Sequence, residues 1–260
     1  MKARWLGPGI PSKREADLKG RLIVLEGPDC VGRSTQIRLL QDWLESQGYG
    51  VVTTSLCRSE LAEAGLRKAK RRNLVGRRTL ALFYATDMAD RLEREILPAL
   101  ESGFIVLSDR YVHTILARYA VRGIDPQWLR KAYGFALEPH LALYLDVKLE
   151  VLARRALTAE KMGFWESGMD MNLSNNLYES FWIYQQRMLK EFSAIVKEYG
   201  LLRIKANASV NFVQQRLRKR VRRLLDVRET EMGDVPAAVP PVAASAASPV
   251  VRAAEKEPQP

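Results

Sequence analysis

The sequence predicts an α/β fold built on a parallel five-stranded sheet with helices on both faces. Three observations predict it. Short apolar segments alternate with amphipathic segments at helical spacing. The apolar segments are near-continuous, as strands buried on both faces are. The first of them, Leu22–Leu25, runs into a glycine-rich turn that opens a helix. With 260 residues, 47% of them hydrophobic, the chain can bury one such sheet.

The elements follow in order. Strand Leu22–Leu25 leads to a helix over Ser34–Gln47, closed by Gly48. Val51–Thr54 is the second strand. A helix over Glu60–Arg72 precedes a long one over Arg78–Glu101, disturbed near its end by Pro98. Phe104–Leu107 is an apolar strand ending in Ser108-Asp109-Arg110. Helices over Val112–Val121 and Pro126–Phe135 lead to strand Leu141–Asp146. Helix Leu149–Leu157 precedes an irregular segment, Thr158–Asn176. A helix over Tyr178–Tyr199 and strand Leu201–Lys205 follow. The last helix carries Val213, Leu217, Val221 and Leu224 on one face and Arg216, Arg218, Lys219, Arg220, Arg222 and Arg223 around them.

Residues 1–19 read as a flexible N-terminal arm and residues 20–228 as the folded domain. Residues 229–260, rich in Ala and Pro, read as a disordered tail. The arm lacks the apolar core of a secretory signal, and no apolar run reaches the ~20 residues of a membrane span. Two cysteines, Cys30 and Cys57, argue for a reducing compartment, and the expected location is the cytoplasm. The net charge of +11 gathers around Arg67, Lys68, Lys70, Arg71, Arg72, Arg77 and Arg78 and on the last helix. No aromatic platform interleaves these arginines, so they read as solvated faces and nucleic acid is not an expected partner.

Gly27-Pro28-Asp29-Cys30-Val31-Gly32-Arg33-Ser34-Thr35 matches the phosphate-binding loop G-x-x-x-x-G-K-[ST] with Arg33 in place of Lys. The glycines let the backbone N–H groups converge on phosphate, and the following helix adds its positive N-terminus. A nucleoside triphosphate, ATP, is the expected ligand. Arg33 keeps the charge of the lysine but not its geometry. Ser34 suits Mg²⁺, and Asp109, ending a buried strand, can complete the metal shell through water. Arg110 beside it can bridge donor and acceptor phosphates. His113 and His140 lack metal-ligand spacing and read as structural.

LEGPD-x-x-G-x-STQ, LFYATDMADR, PALESGFIVLSDRY and EPHLALYLDV, in this order and spacing, resemble the thymidylate kinase family of nucleoside monophosphate kinases. The resemblance implies the P-loop nucleoside monophosphate kinase fold, a homodimer, and ATP-dependent phosphorylation of a deoxynucleoside monophosphate, dTMP foremost, giving dTDP. It implies that Asp29 contacts the acceptor's sugar hydroxyl and Arg58 its phosphate. It implies that Tyr84 stacks on the base, although Tyr84 reads equally well as core. Arg110 would bridge phosphates and Thr114 lie near the base. A lid over about 158–176, around Lys161 and preceded by Arg154 and Arg155, would cover ATP. Trp165 in that lid reads either as a stack on adenine or as packing.

The chain also departs from the family pattern. Besides Arg33, Met88 stands where many members have a base-reading arginine, and Arg118-Tyr119 replaces Tyr-Gln. The lid is poor in arginine. These departures leave a second reading open, a nucleotide-binding pseudoenzyme acting as sensor or scaffold.

Overall fold

The computed structural model describes residues 2–72, 75–159 and 162–232. Among them, five strands form one parallel sheet in the order β2-β3-β1-β4-β5. The strands are β1 Arg21–Glu26, β2 Val51–Ser55, β3 Ile105–Asp109, β4 Leu141–Asp146 and β5 Leu202–Lys205. The helices are α1 Arg33–Ser46, α2 Glu60–Arg72, α3 Arg77–Arg91, α4 Leu97–Glu101, α5 Val112–Val121, α6 Pro126–Ala132, α7 Leu149–Thr158, α8 Leu177–Glu198 and α9 Val210–Met232. The fold class expected from the alternating pattern is the one found.

β1 is central and buried along its whole length. Its side chains alternate between two cores, one on each face of the sheet. Leu22 and Val24 join Val106, Met88, Ile115 and Phe192 under α3, α5 and α8. Ile23 and Leu25 join Leu107, Leu40, Leu152 and Leu217 under α1, α7 and α9. The period of two along a strand makes this division, and it explains why β1 carries no polar residue between Arg21 and Glu26. The register pairs Leu25 with Asp109 and Ser55 with Asp109, so three strand ends open on one crevice.

The long helix expected over Arg78–Glu101 is a rod with a wide turn in it. Leu92–Ile96 forms a π-helical segment between α3 and α4. Pro98 accounts for it. Its ring has no N–H to give the Arg94 carbonyl and would press against that oxygen, and one wider turn relieves both.

The flexible arm expected over residues 1–19 is corrected for residues 2–19. The Leu6 N–H donates to the Ala136 carbonyl at 2.9 Å and the Glu138 N–H to the Arg4 carbonyl at 2.7 Å. Trp5 bridges Leu137, and Leu18 is buried in the first core. A Cβ on Gly7 would come within 2.8 Å of the Gly134 backbone, so the close approach here requires glycine. Of the tail expected from Glu229, residues 229–232 belong to α9 instead. The rest of it lies outside the described residues. Among those residues no helix is long and apolar enough to cross a membrane.

His140, just before β4, has its Nδ1 accept the Leu22 N–H at 3.0 Å, which only a neutral ring can do. Burial, with Arg21 nearby, pushes its pKa down to about 4 from 6.5. The unfolded chain therefore binds this proton first, and the folded state loses stability as pH falls from 6.5 towards about 4. His140→Asn keeps an acceptor and removes the titration. Its thermal-unfolding midpoint should fall less steeply than the wild type's across that window, with the two profiles parallel above it.

Candidate active site

The backbone is strained at the ends of three neighbouring strands. Cys30 after β1, Cys57 after β2 and Arg110 after β3 have φ of 64°, 65° and 72°, the left-handed region that costs a side chain energy. Gly32, at φ 103°, opens α1 from the same region without that cost. The first and third of these turns aim Cys30 and Arg110 into the crevice, while Cys57 packs against the core.

Asp29 is its centre. The carboxylate is buried, and Arg118 Nη2 donates to its oxygens at 3.0 and 2.9 Å. Arg110 Nη2 donates to the same carboxylate, and Arg33 Nη2 stands 3.7 Å away. Burial alone would raise the Asp29 pKa, but the three guanidiniums hold it far below the usual carboxylate range. Burial and Arg33 together push Arg110 down to about 10 despite Asp29. Positive charge is in excess here, a cluster waiting for an anion.

Arg33 lies beneath the loop. Its Nη1 donates to the Gly27 and Pro28 carbonyls, and its Nε donates to Asp109 Oδ1 at 2.8 Å. The Ser34 hydroxyl donates to Asp109 Oδ2 at 2.7 Å. Burial opposes ionisation of Asp109, but Arg33 and the Ser34 bond hold its pKa below the ordinary value.

A cavity of about 790 Å³ opens over this cluster, within the size range of a nucleotide site. Asp29, Cys30, Gly32, Arg33, Ser34, Thr35 and Arg110 line one side, and Arg154, Arg155, Thr158 and Glu166 the other. Arg155 is committed to the main chain, donating to Val31 and Ala206 carbonyls at 3.1 and 2.9 Å. Arg154 is exposed at the rim. Lys161 lies outside the described residues.

Tyr84, fully buried, faces a second, much smaller cavity with Lys70, Leu80, Arg118, Tyr119, Arg122 and Trp165. Met88 does not reach it, being buried with its sulfur accepting from Arg91 at 3.8 Å. The segment expected as a lid is tied to the domain on this side. Arg122 grips Asp170 with two bonds of 2.8 and 2.9 Å, and Ser180 Oγ donates to the Ser167 carbonyl at 2.7 Å. Trp165 thus faces the smaller cavity rather than the larger.

Two of the expected residues stand apart from both cavities. Thr114 is buried, and its hydroxyl donates to Glu26. Glu26 also accepts the Tyr111 and Thr114 N–H groups at 2.9 and 3.3 Å, capping α5 from the end of β1. Arg58 is exposed, and the loop that carries it is set by a residue that sequence reasoning missed. Buried Asp87 accepts the N–H groups on either side of Arg58, from Cys57 at 3.1 Å and from Ser59 at 2.9 Å. The spacing of Asp87 and Arg91, four apart on one helix, was the available signal.

Asp29→Asn leaves Arg110 and Arg118 without their bonded carboxylate and should cost about 3 kcal/mol in urea unfolding. Added tripolyphosphate should recover part of that loss. Unchanged stability would mean that the cluster does not depend on Asp29.

The thymidylate kinase family model matches residues 25–217. "Probable thymidylate kinase 2" of Saccharolobus solfataricus is 38% identical over 204 residues, 78% of this chain and 95% of that protein. "Probable thymidylate kinase" of Pyrococcus horikoshii is 36% identical over 148 residues, 53% of this chain and 70% of that one. "Thymidylate kinase" of Clavibacter sepedonicus is 38% identical over 156 residues, 56% and 72% of the two chains. A family model that runs from the end of β1 into α9, and a relative covered almost end to end, show that this chain belongs to the thymidylate kinase family.

Proposed function

We propose that this chain transfers the γ-phosphoryl group of ATP to dTMP, giving dTDP and ADP. As a member of its family it is a nucleoside monophosphate kinase. The observation that carries the reading is the cluster of Arg33, Arg110 and Arg118 around Asp29, set beside the phosphate loop at the mouth of a nucleotide-sized cavity.

Phosphoryl transfer asks the protein for position and for positive charge that follows the moving phosphate. The loop Gly27–Thr35 and the N-terminus of α1 receive the donor phosphates. Arg110, on the same carboxylate as Arg118, lies where donor and acceptor phosphates meet. An acceptor phosphate oxygen bonds to the γ-phosphorus as the bond to the β–γ bridging oxygen breaks, and ADP leaves with that electron pair. Arg33 keeps the loop curled through its carbonyls and holds Asp109 in place. Tyr84 takes the base, and Arg58, exposed on its Asp87-braced loop, meets the acceptor phosphate only if that loop turns inward.

Ser34 Oγ and Asp109 Oδ2 form an all-oxygen pair that fits a hard cation such as Mg²⁺. Among the described residues no group of three or more His, Cys, Asp or Glu could hold a metal alone, so phosphate and water would supply most ligands. When bound, Mg²⁺ supplies charge neutralisation between the β- and γ-phosphates.

The homodimer belongs to this proposal. Leu61 on α2 and Leu82 on α3, two helices packed on each other, are exposed apolar side chains that a partner copy would cover. Light scattering should return twice the chain mass of 29.5 kDa, and Leu82→Glu should halve it.

A panel of nucleoside monophosphates with ATP and Mg²⁺ should show diphosphate formation, with dTMP the best acceptor. ATP binding without transfer to any acceptor would contradict the proposal. Arg33→Lys cannot hold two carbonyls and Asp109 at once, so kcat/KM should fall on the order of tenfold or more. A rise in turnover would mean that the arginine only stands in for a lysine.

A further inference from the structure

The basic run before residue 73 was expected to be a solvated face, and at Arg67 and Lys68 it is one. Lys70 differs. It is half-buried and turns inward, its ammonium 5.5 Å from the centre of the Tyr84 ring and 5.9 Å from that of Trp165. Burial and the neighbouring Arg118 lower its pKa. No carboxylate among the described residues forms an ion pair with it. Glu166 is near enough to oppose that lowering but is not bonded to the ammonium. A cation held between two aromatic rings with no bonded carboxylate is there for the rings, or for what enters between them.

The cavity it lines has room for about one water, 20 Å³, far less than an aromatic base needs. Three donor-only side chains surround it, Lys70, Arg118 and Arg122. Arg122 is spent on Asp170 and, at 2.8 Å, on the Tyr184 hydroxyl. Arg118 is anchored through its Nη2 to Asp29. Lys70 is the one of the three without a hydrogen bond or ion pair among the described residues, and its ammonium lies against the Tyr84 ring. Met88, which carries no donor and lies outside the cavity, cannot serve instead.

Resting on the kinase reading above, we propose that Lys70 is a specificity-determining residue. It holds the place beside Tyr84 and, as a pyrimidine enters, donates to the ring's 4-keto oxygen. An ammonium only donates, so a 4-keto pyrimidine finds a partner. The 4-amino group of cytosine, itself a donor, meets an unpaired charge. A site built this way rejects the mismatched ring more strongly than a merely apolar slot does.

The test compares kcat/KM for dTMP, dUMP and dCMP in the wild type and in Lys70→Met and Lys70→Arg. The expected result is a wild type that favours dTMP and dUMP over dCMP by at least about a hundredfold. Lys70→Met should lose most of that ratio by losing the keto substrates, with KM for ATP unchanged, and Lys70→Arg should keep it. Loss of activity on all three substrates with the ratio unchanged would assign Lys70 a packing role and overturn the proposal. A wild type that phosphorylates none of them would overturn the kinase reading, and this proposal with it, before any variant is compared.

Discussion

One buried carboxylate, Asp29, organises this molecule. A carboxylate taken out of water needs cations within hydrogen-bond reach, and Asp29 draws them from three places in the chain. Arg33 comes from α1, Arg110 from the end of β3 and Arg118 from α5. Each bond fixes one element against the phosphate loop. A second carboxylate three residues earlier, Glu26, caps α5 from the same strand end. α5 is therefore held at its N-terminus and at mid-length by consecutive parts of one loop. The excess of guanidinium over carboxylate then has a use, because a polyphosphate can complete the charge balance that Asp29 alone leaves short.

The proposed acceptor side is built from the same kind of bond at longer range. Asp87, Arg91 and Thr54 link α3 to the end of β2, with Arg91 Nη1 donating to Thr54 Oγ1 at 3.1 Å. That link shapes the loop carrying Arg58. Pro98 and its wide turn lie just beyond, and Glu95 within that turn accepts the Thr54 hydroxyl at 2.8 Å. Arg122 and Asp170 perform the corresponding task between α5 and the segment before α8. The proposed donor and acceptor regions thus share one sheet and one helix, α5, whose Arg118 and Arg122 reach each of them.

What was legible in the sequence was local. The phosphate loop could be read because its glycines, its spacing and its flanking strand lie within sixteen residues. The inner strands could be read because burial on both faces makes them largely apolar, while the edge strands β2 and β5, partly exposed, were marked by shorter apolar runs. The motif order carried the family, which the relatives bear out. What was not legible was the direction of polar side chains across the fold. Nothing near Asp29 announces Arg118, 89 residues on, and nothing near Arg122 announces Asp170. Lys70 looks like its exposed neighbours until α2 is placed on α3. Thr114 matched a motif position, yet its hydroxyl is taken by Glu26. The N-terminal residues lacked a periodic pattern because they form no α-helix or regular strand: scattered apolar side chains such as Trp5, Leu6 and Leu18 reach the core while backbone bonds and one glycine contact hold the chain.

The most direct test of the account is the affinity of a single molecule that joins adenosine to thymidine through a chain of phosphates. If one cation cluster serves donor and acceptor together, calorimetry should find it bound more than about a hundredfold tighter than ATP, with dTMP unable to add to it. Binding no tighter than ATP, with dTMP still binding independently, would contradict a shared site around Asp29.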